Sequence, residues 1–292
     1  MKRILITGAN SYIGTSVENY ILTNYSLECQ FDTIDMKDGS WREKDFASYD
    51  VVFHVAGIAH SDSGKISEEK EKLYRSINTD LTVETAKKAK ADGVKQFIFM
   101  SSAIVYGESG NVGKKKEITS QSKTSPANCY GDSKLQAENG LLQLDDDSFK
   151  VCILRPPMIY GEGCKGNYQL LRKFALKFRI FPYVKNERSM LYIKNLCEFV
   201  RLMISNGESG IFFPQNAEYT NTSEMVKYIA QAHGRKVFLI KGFGWMIKIL
   251  GLFTNMAKKA FGNLTYEKEL GEYRDDYVKY SLQESIRETE KE

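Results

Sequence analysis

The chain of 292 residues has few prolines, few histidines and no long apolar run. Its five cysteines, Cys29, Cys129, Cys152, Cys164 and Cys197, form no C-x-x-C pair and no spacing of metal ligands. With only three histidines beside them, a structural zinc site is not expected, and no metal is. The pattern fits a reducing compartment, so a cytoplasmic protein is expected. There is no stretch of about 20 apolar residues, and Met1-Lys2-Arg3 runs straight into a strand, so neither a membrane span nor secretion is expected. A net charge of +4 is too mild to argue for a nucleic-acid partner. No internal repeat is visible.

What is present suits a soluble globular protein: 42% hydrophobic and 27% charged residues, with length enough for one large α/β unit or two intimate domains. Ile4-Leu5-Ile6 reads as a buried parallel strand ended by Thr7-Gly8. Gly8-Ala9-Asn10-Ser11-Tyr12-Ile13-Gly14 then opens a helix to about Asn24. Strand, glycine turn and helix form the context of a dinucleotide fingerprint, in which backbone N–H groups at the helix start hold a pyrophosphate. Gly8 permits the tight turn and Gly14 lets helix and strand pack closely. Ser11 stands where a third glycine is usual, and serine is not free at positive φ.

The second strand, Phe31 to Ile34, ends at Asp35. A carboxylate there accepts hydrogen bonds from the adenosine ribose and repels a 2′-phosphate, which favours NAD over NADP; Lys37 nearby argues the other way. Asp45-Phe46 is either a cap for the adenine or a loop acid and its neighbour. The third strand, Val51-Val52-Phe53-His54, runs into Val55-Ala56-Gly57, whose small residues let a cofactor approach. His54 lies inside the apolar run and reads as a core histidine rather than a catalytic one. Residues 61–72 read as a helix start or solvated loop, and 76–91 as a helix in which Asn78 either ties the helix to the catalytic strand or is exposed.

The fourth strand, Gln96 to Met100, is followed by Ser101-Ser102, whose hydroxyls are expected to point into the crevice of an open α/β sheet. Residues 108–126 read as a solvated loop. Tyr130 and Lys134 then stand four apart, on one face of a helix. An ammonium beside a phenol stabilises the phenolate, so the Tyr130 pKa is expected to fall from about 10 toward neutral. Such a tyrosine can take a proton from an alcohol and return it. Alone, Y-x-x-x-K reads first as a solvated helix pair; the company it keeps gives it weight. Lys150 to Leu154 is the fifth strand.

Gly8 to Gly14, Asp35, His54-Val55-Ala56-Gly57, Asn78, Ser101-Ser102-Ala103, Tyr106-Gly107, Tyr130 with Lys134, and Leu154-Arg155-Pro156-Pro157-Met158-Ile159-Tyr160-Gly161 occur in the order seen in extended short-chain dehydrogenases/reductases. The chain resembles the nucleotide-sugar epimerase/dehydratase branch of that superfamily, with motifs over roughly residues 1–200 and more loosely beyond. The resemblance implies α/β architecture: a Rossmann-type doubly wound parallel sheet of about seven strands with a smaller α/β C-terminal substrate domain. Residues 1–155, with about 190–213, are expected to form the NAD-binding domain, and 156–189 with 214–292 the substrate domain. The resemblance adds Pro157 to the cofactor residues and implies a homodimer.

Gly166-Asn167 and Arg188-Ser189 also resemble bacterial surface-polysaccharide epimerases, which implies that Asn167 and Arg188 lie near the substrate diphosphate. The implied reaction is 4-epimerisation of a UDP-hexose or UDP-N-acetylhexosamine through a transient 4-keto sugar. Tyr130 would take the O4 proton, Lys134 would lower the tyrosine pKa and hold the nicotinamide ribose, and Ser102 would hydrogen-bond O4. The sugar dehydratases carry Asp-Glu after the Ser/Thr, where this chain has Ala103-Ile104, so elimination is disfavoured. A reductase or dehydrogenase, an epimerase of a polyprenyl-diphosphate sugar, and a non-catalytic NAD-binding protein remain alternatives.

In the last third, 222–233 reads as a helix capped by Asn221 or Thr222, and 236–240 as a strand. Residues 243–261 read as a second helix with one apolar stripe. Between Met225 and Tyr266 there are seven Lys/Arg and no Asp/Glu. A basic amphipathic segment at 243–261 either packs on its own domain or makes peripheral contact with an anionic membrane. The acidic end, from Glu284, is expected to fray.

Overall fold

A computed structural model describes residues 1–58, 67–243 and 260–291. In chain order the elements are β1 (Lys2–Thr7), α1 (Tyr12–Asn24), β2 (Cys29–Ile34), β3 (Val51–His54), α2 (Glu68–Tyr74), α3 (Leu81–Ala91), β4 (Gln96–Met100), β5 (Glu117–Ile118) and α4 (Cys129–Leu142). There follow β6 (Lys150–Leu154), β7 (Met158–Tyr160), α5 (Asn167–Lys177), β8 (Ile180–Pro182), β9 (Met190–Tyr192), α6 (Ile193–Asn206), β10 (Gly210–Phe212), α7 (Thr222–Ala232), β11 (Phe238–Ile240), β12 (Thr265–Tyr266) and α8 (Leu282–Thr289). The chain divides into two units: Met1–Gly107 with Lys123–Pro156 and Leu196–Pro214, and Glu108–Ser122 with Pro157–Asn195 and Gln215–Glu292.

The first unit is built on a parallel sheet in the order β10-β6-β4-β3-β1-β2. It has six strands among the described residues rather than about seven, because β7, the next apolar run after β6, pairs with β9 in a separate two-stranded sheet of the second unit. The central strands are apolar without alternation, as a sheet covered on both faces requires: all of β3 and β4 is buried. Phe97, Phe99, Val151 and Ile153 join Ala86 and Ala89 of α3 and Ala137 and Leu141 of α4 in one core cluster. Each such fully buried large side chain stabilises by about 1.5–3 kcal/mol. Small residues set how closely the helices approach; a Cβ at Gly140 would sit 2.6 Å from Val83.

His54 is fully buried, with Thr7 Oγ1 2.8 Å from Nδ1 and Thr82 Oγ1 3.0 Å from Nε2. This is the core role read from the sequence. Burial, with the nearby Lys134 charge, lowers its pKa to about 3. In the unfolded chain it takes a proton near 6.5, so between about pH 6.5 and 3 the unfolded state binds more protons. Stability from this group is therefore fully present above pH 6.5 and falls on acidification, by at most ~1.4 kcal/mol per pH unit. Urea unfolding of the wild type between pH 6.5 and 5 should show this loss, about 2 kcal/mol in all. His54→Gln should start less stable and titrate with about one proton less; equal slopes would refute the assignment.

The second unit is made of two-stranded parallel pairs, β5 with β12, β7 with β9 and β8 with β11, together with α5, α7 and α8. Residues 108–126 are thus not all solvated loop, since Glu117–Ile118 pairs with Thr265–Tyr266. Asn221 caps α7, its Oδ1 accepting from Ser223 N and Glu224 N. Tyr160 and Tyr168 stack at 5.6 Å. The helix read over 243–261 lies outside the described residues except at its ends. Most of the acidic tail is ordered, while its last residue lies outside the described residues. Ser281 and Glu284 form a capping box that starts α8, and the Glu290 carboxylate beyond it is held by Tyr168, Arg172 and His233 at 2.6–2.7 Å. Glu284 thus supplies the cap, and Glu290 is the buried partner of Arg172.

Candidate active site

In the first unit the strand order reverses between β1 and β3, since β1 has β2 on one side and β3 on the other. Ligands of open α/β sheets bind beyond the carboxyl ends of the strands at such a switch point. A cavity of about 550 Å³ lies there. Its walls are Gly8–Ser11 after β1, Asp35–Lys37, Gly39 and Arg42 after β2, Val55–Ile58 after β3, and Ser76, Ile77, Asp80, Leu81 and Glu84.

The turn after β1 keeps the cavity open. Gly8 has φ +94°, and a Cβ on it would fall 2.9 Å from the Ala56 backbone. Asn10 also lies in the left-handed region, at φ 60°, which asparagine tolerates better than most residues. Ser11, the residue in the usual glycine position, needs no such freedom: it is extended, at φ −71°, and its Oγ caps α1 by accepting from Gly14 N at 3.2 Å. A Cβ on Gly14 would meet Ile6 at 2.9 Å, which is the close packing of helix on strand. Tyr12 and Ile13 form the first turn of α1.

Asp35 reaches the cavity with its Oδ1 accepting from Lys37 N at 3.0 Å and its Oδ2 3.8 Å from Lys37 Nζ. Arg42 and Glu84, absent from the sequence reading, line the same wall and are joined by two hydrogen bonds of 2.5 and 2.6 Å. Only the fold brings Arg42 to Glu84, 42 residues on. Asp45 and Phe46 are not among the lining residues. Asp45 is exposed, with Oδ1 accepting from Ala47 N, and Phe46 is wholly buried in the core cluster.

The wall after β3 is held from behind. A π-helical turn, Arg75–Asp80, joins α2 to α3 and carries Asn78. Asn78 is fully buried; its Oδ1 accepts from Ile58 N at 2.9 Å, and its Nδ2 donates to Ile58 O and Ser133 Oγ, both at 3.1 Å. Asn78 is thus neither exposed nor tied to the catalytic strand β4: it fastens the β3 exit to α4. Gly57 leaves room for the Asn78 amide and the Lys134 ammonium, since a Cβ there would lie 3.0 Å from Asn78 Oδ1 and 3.5 Å from Lys134 Nζ.

Helix α4 is capped by Asn128, whose Oδ1 accepts from Gly131 N at 2.9 Å. It carries Tyr130 half-buried and Lys134 buried, one turn apart. Lys134 Nζ donates to Met100 O at 2.8 Å and lies 4.6 Å from the centre of the Phe99 ring. Burial lowers its pKa to about 8, against the attraction of Glu138. The Tyr130 ring packs 6.2 Å from Tyr74. The expected fall of the Tyr130 pKa does not occur in this structure; burial raises it to about 12, opposed by a hydrogen bond from Ser102. Lys134, expected to lower it, directs its ammonium at the Met100 carbonyl.

Ser102 Oγ accepts from Ile104 N at 3.3 Å and starts the short turn Ala103–Tyr106. Ser101 does not share its orientation. Its hydroxyl donates to Glu138, which also takes Arg155 Nε and Nη2, while Arg155 Nη1 donates to Tyr106 at 2.6 Å. This buried network was not read from the sequence, although Glu138 lies four residues beyond Lys134 on the same helix face. In the second unit, Pro157 is buried and Asn167 is exposed at the start of α5. Arg188 is buried; its Nη2 donates to Ser109 at 3.3 Å and its backbone pairs with Thr220. Burial lowers its pKa to about 10.

A doubly wound parallel sheet with a glycine-turn cradle at its switch point, and an acidic residue ending the second strand, defines a dinucleotide-binding protein of Rossmann type. The chain belongs to the NAD dependent epimerase/dehydratase family, whose model matches residues 4–213, and NAD is its cofactor. It is 31% identical over 270 residues to a UDP-glucose 4-epimerase of Vibrio cholerae, covering 86% of this chain and 81% of the other. It is 26% identical over 252 residues to the N-acetyl-alpha-D-glucosaminyl-diphospho-ditrans,octacis-undecaprenol 4-epimerase of Escherichia coli O157:H7, covering 80% and 73%. Among solved structures, a dTDP-4-dehydrorhamnose reductase from Clostridium acetobutylicum superposes with TM-score 0.74 at 18% identity, over 98% of each chain, and shows the same fold.

The residues present fit NAD. Gly8, the start of α1 and Asp35 line the cavity where they could hold a dinucleotide's pyrophosphate and ribose. Asp35→Asn should weaken NAD binding by about 10- to 100-fold, the loss of a charge-assisted hydrogen bond of ~1.5–3 kcal/mol. It should strengthen NADP binding, because Lys37 and Arg42 line the same wall. Calorimetric titration with both dinucleotides checks this, and unchanged NAD affinity would remove Asp35 from the site.

Proposed function

We propose that the protein is a sugar 4-epimerase acting on a UDP-hexose or UDP-N-acetylhexosamine in surface polysaccharide synthesis. The observation that carries this reading is the set Ser102, Tyr130 and Lys134 next to the dinucleotide cavity, without an acid pair after the serine. Tyr130 takes the proton from the sugar O4 and returns it, and Ser102 holds that oxygen by a hydrogen bond in both the alcohol and the ketone. NAD, when bound, supplies the reversible two-electron oxidation of the carbinol. Lys134 fixes its ammonium between the Met100 carbonyl and the Gly57 wall, where it favours a phenolate on Tyr130 once that group ionises. Ala103 and Ile104 offer no carboxylate to remove water, which supports epimerisation over dehydration. Arg188 and Asn167 are assigned to the substrate diphosphate, and the working form is a cytoplasmic homodimer.

The test is incubation of the purified protein with a panel of UDP-sugars without added cofactor, followed by NMR of the anomeric protons. A new anomeric signal that reaches the same ratio from either epimer is expected. Stoichiometric consumption of added NADH or NADPH would instead make the protein a reductase of the same family. The relative named for an undecaprenol-linked sugar supports a second substrate class. If every UDP-sugar is unchanged, the same experiment with a polyprenyl-diphosphate sugar decides between that class and a protein without this activity.

A further inference from the structure

Within the second unit, β8 and β11 pair in register, Ile180 beside Phe238 and Pro182 beside Ile240. Side chains alternate across a strand, so these four share one face, and Phe181 and Leu239 share the other. The Phe181 face is covered: Phe181 is buried, with Phe174 and Phe261 about 6 Å away, at 6.1 and 6.0 Å. Among the described residues the opposite face is uncovered. Phe238 is 65% exposed, Ile180 60% and Ile240 38%, and Phe178 and Phe243 beside the strands are also exposed. Single exposed apolar side chains are ordinary, but here five cluster on two short, paired segments.

The charge around this face has one sign. Residues 173–186 and 225–243 contain no Asp or Glu. Lys177 and Arg179 precede β8, Arg235 and Lys236 precede β11, and Lys241 follows it; all five are exposed. Base and apolar side chain meet in space, since Lys177, Phe178, Arg179, Arg235, Lys236 and Phe238 line one cavity of about 460 Å³.

We propose that this face docks on an anionic lipid surface. The apolar side chains enter the boundary between headgroups and acyl chains, and the lysines and arginines meet lipid phosphates. The charge pattern selects this occupant: a second copy packed face to face would set basic rim against basic rim. The contact is peripheral, as no described helix is long and apolar enough to cross a membrane. It goes beyond the reaction assigned above and does not depend on it.

Full-length protein should sediment with vesicles of mixed phosphatidylglycerol and phosphatidylcholine, not with phosphatidylcholine alone, and raised salt should release it. Arg179→Glu with Lys236→Glu should weaken binding by at least about tenfold, as the loss and reversal of two charges at the surface requires. Ile180→Ser with Phe238→Ser should weaken it as well, with NAD binding and circular dichroism unchanged in both double variants. If the serine pair misfolds, the charge-reversed pair decides. No sedimentation, equal binding to both vesicles, or full binding by both double variants would overturn the proposal; the last would place attachment elsewhere, for example on residues 244–259. A dimer that either double variant dissociates would assign the face to a second copy and overturn it too.

Discussion

Tyr130→Phe is expected to lower turnover by about 10²- to 10⁴-fold, the usual contribution of a positioned acid–base group. NAD affinity should change little, because the cavity is walled by the segments after β1, β2 and β3 and by residues such as Ser76, Asp80 and Glu84, not by the phenol. The substitution removes one oxygen and keeps the ring against Tyr74, so folding should be unaffected. The raised pKa of Tyr130, about 12, makes the variant more informative. Without ligands the group is a poor base, and activity requires that the loaded site lower it. Turnover in Tyr130→Phe within a few-fold of wild type would end the assignment. Loss of turnover together with loss of NAD would show only that the site had collapsed.

Glu138→Ala is expected to cost about 3–5 kcal/mol, the range for breaking a buried ion pair by removing one partner. Glu138 is fully buried and accepts from Ser101 and Arg155. Its removal leaves the Arg155 guanidinium charged in the interior, with Tyr106 as a neutral partner. A drop of roughly 10 °C in the unfolding midpoint would follow for a unit of this size. Replacing both partners, as in Glu138→Leu with Arg155→Leu, should recover much of the loss, since no charge then stays unpaired. A drop under ~1 kcal/mol in Glu138→Ala would mean that water reaches Arg155, and that the pair is not the anchor described here. Glu138 also supports the Lys134 ammonium against burial, so the alanine variant should lower the lysine pKa further.

Much of the frame was legible because it is written in local patterns. The apolar runs at 4–6, 51–54, 96–100 and 150–154 are strands for the reason inferred, burial on both faces. Gly8, Gly14 and Gly57 sit where a Cβ would strike a neighbour. What escaped depends on partners distant in sequence. Arg42 meets Glu84, Glu138 meets Arg155, and Glu290 meets Arg172 and His233; no periodicity announces such pairs. The Tyr130 pKa was misread because spacing gives adjacency and not direction: Lys134 shares the helix face but aims its ammonium at Met100. Asp45 and Phe46 carried no signal that separated a cofactor contact from a capped loop and a core side chain.

The first unit is assembled from three separate stretches of chain, the last ending at Pro214. A ribosome must therefore release more than two thirds of the polypeptide before β10 can close the sheet beside β6. Until then β6 presents an unsatisfied edge, which invites chaperone capture or self-association. A nonsense mutation shortly before residue 210 should thus yield an insoluble product rather than a shortened but competent dinucleotide binder.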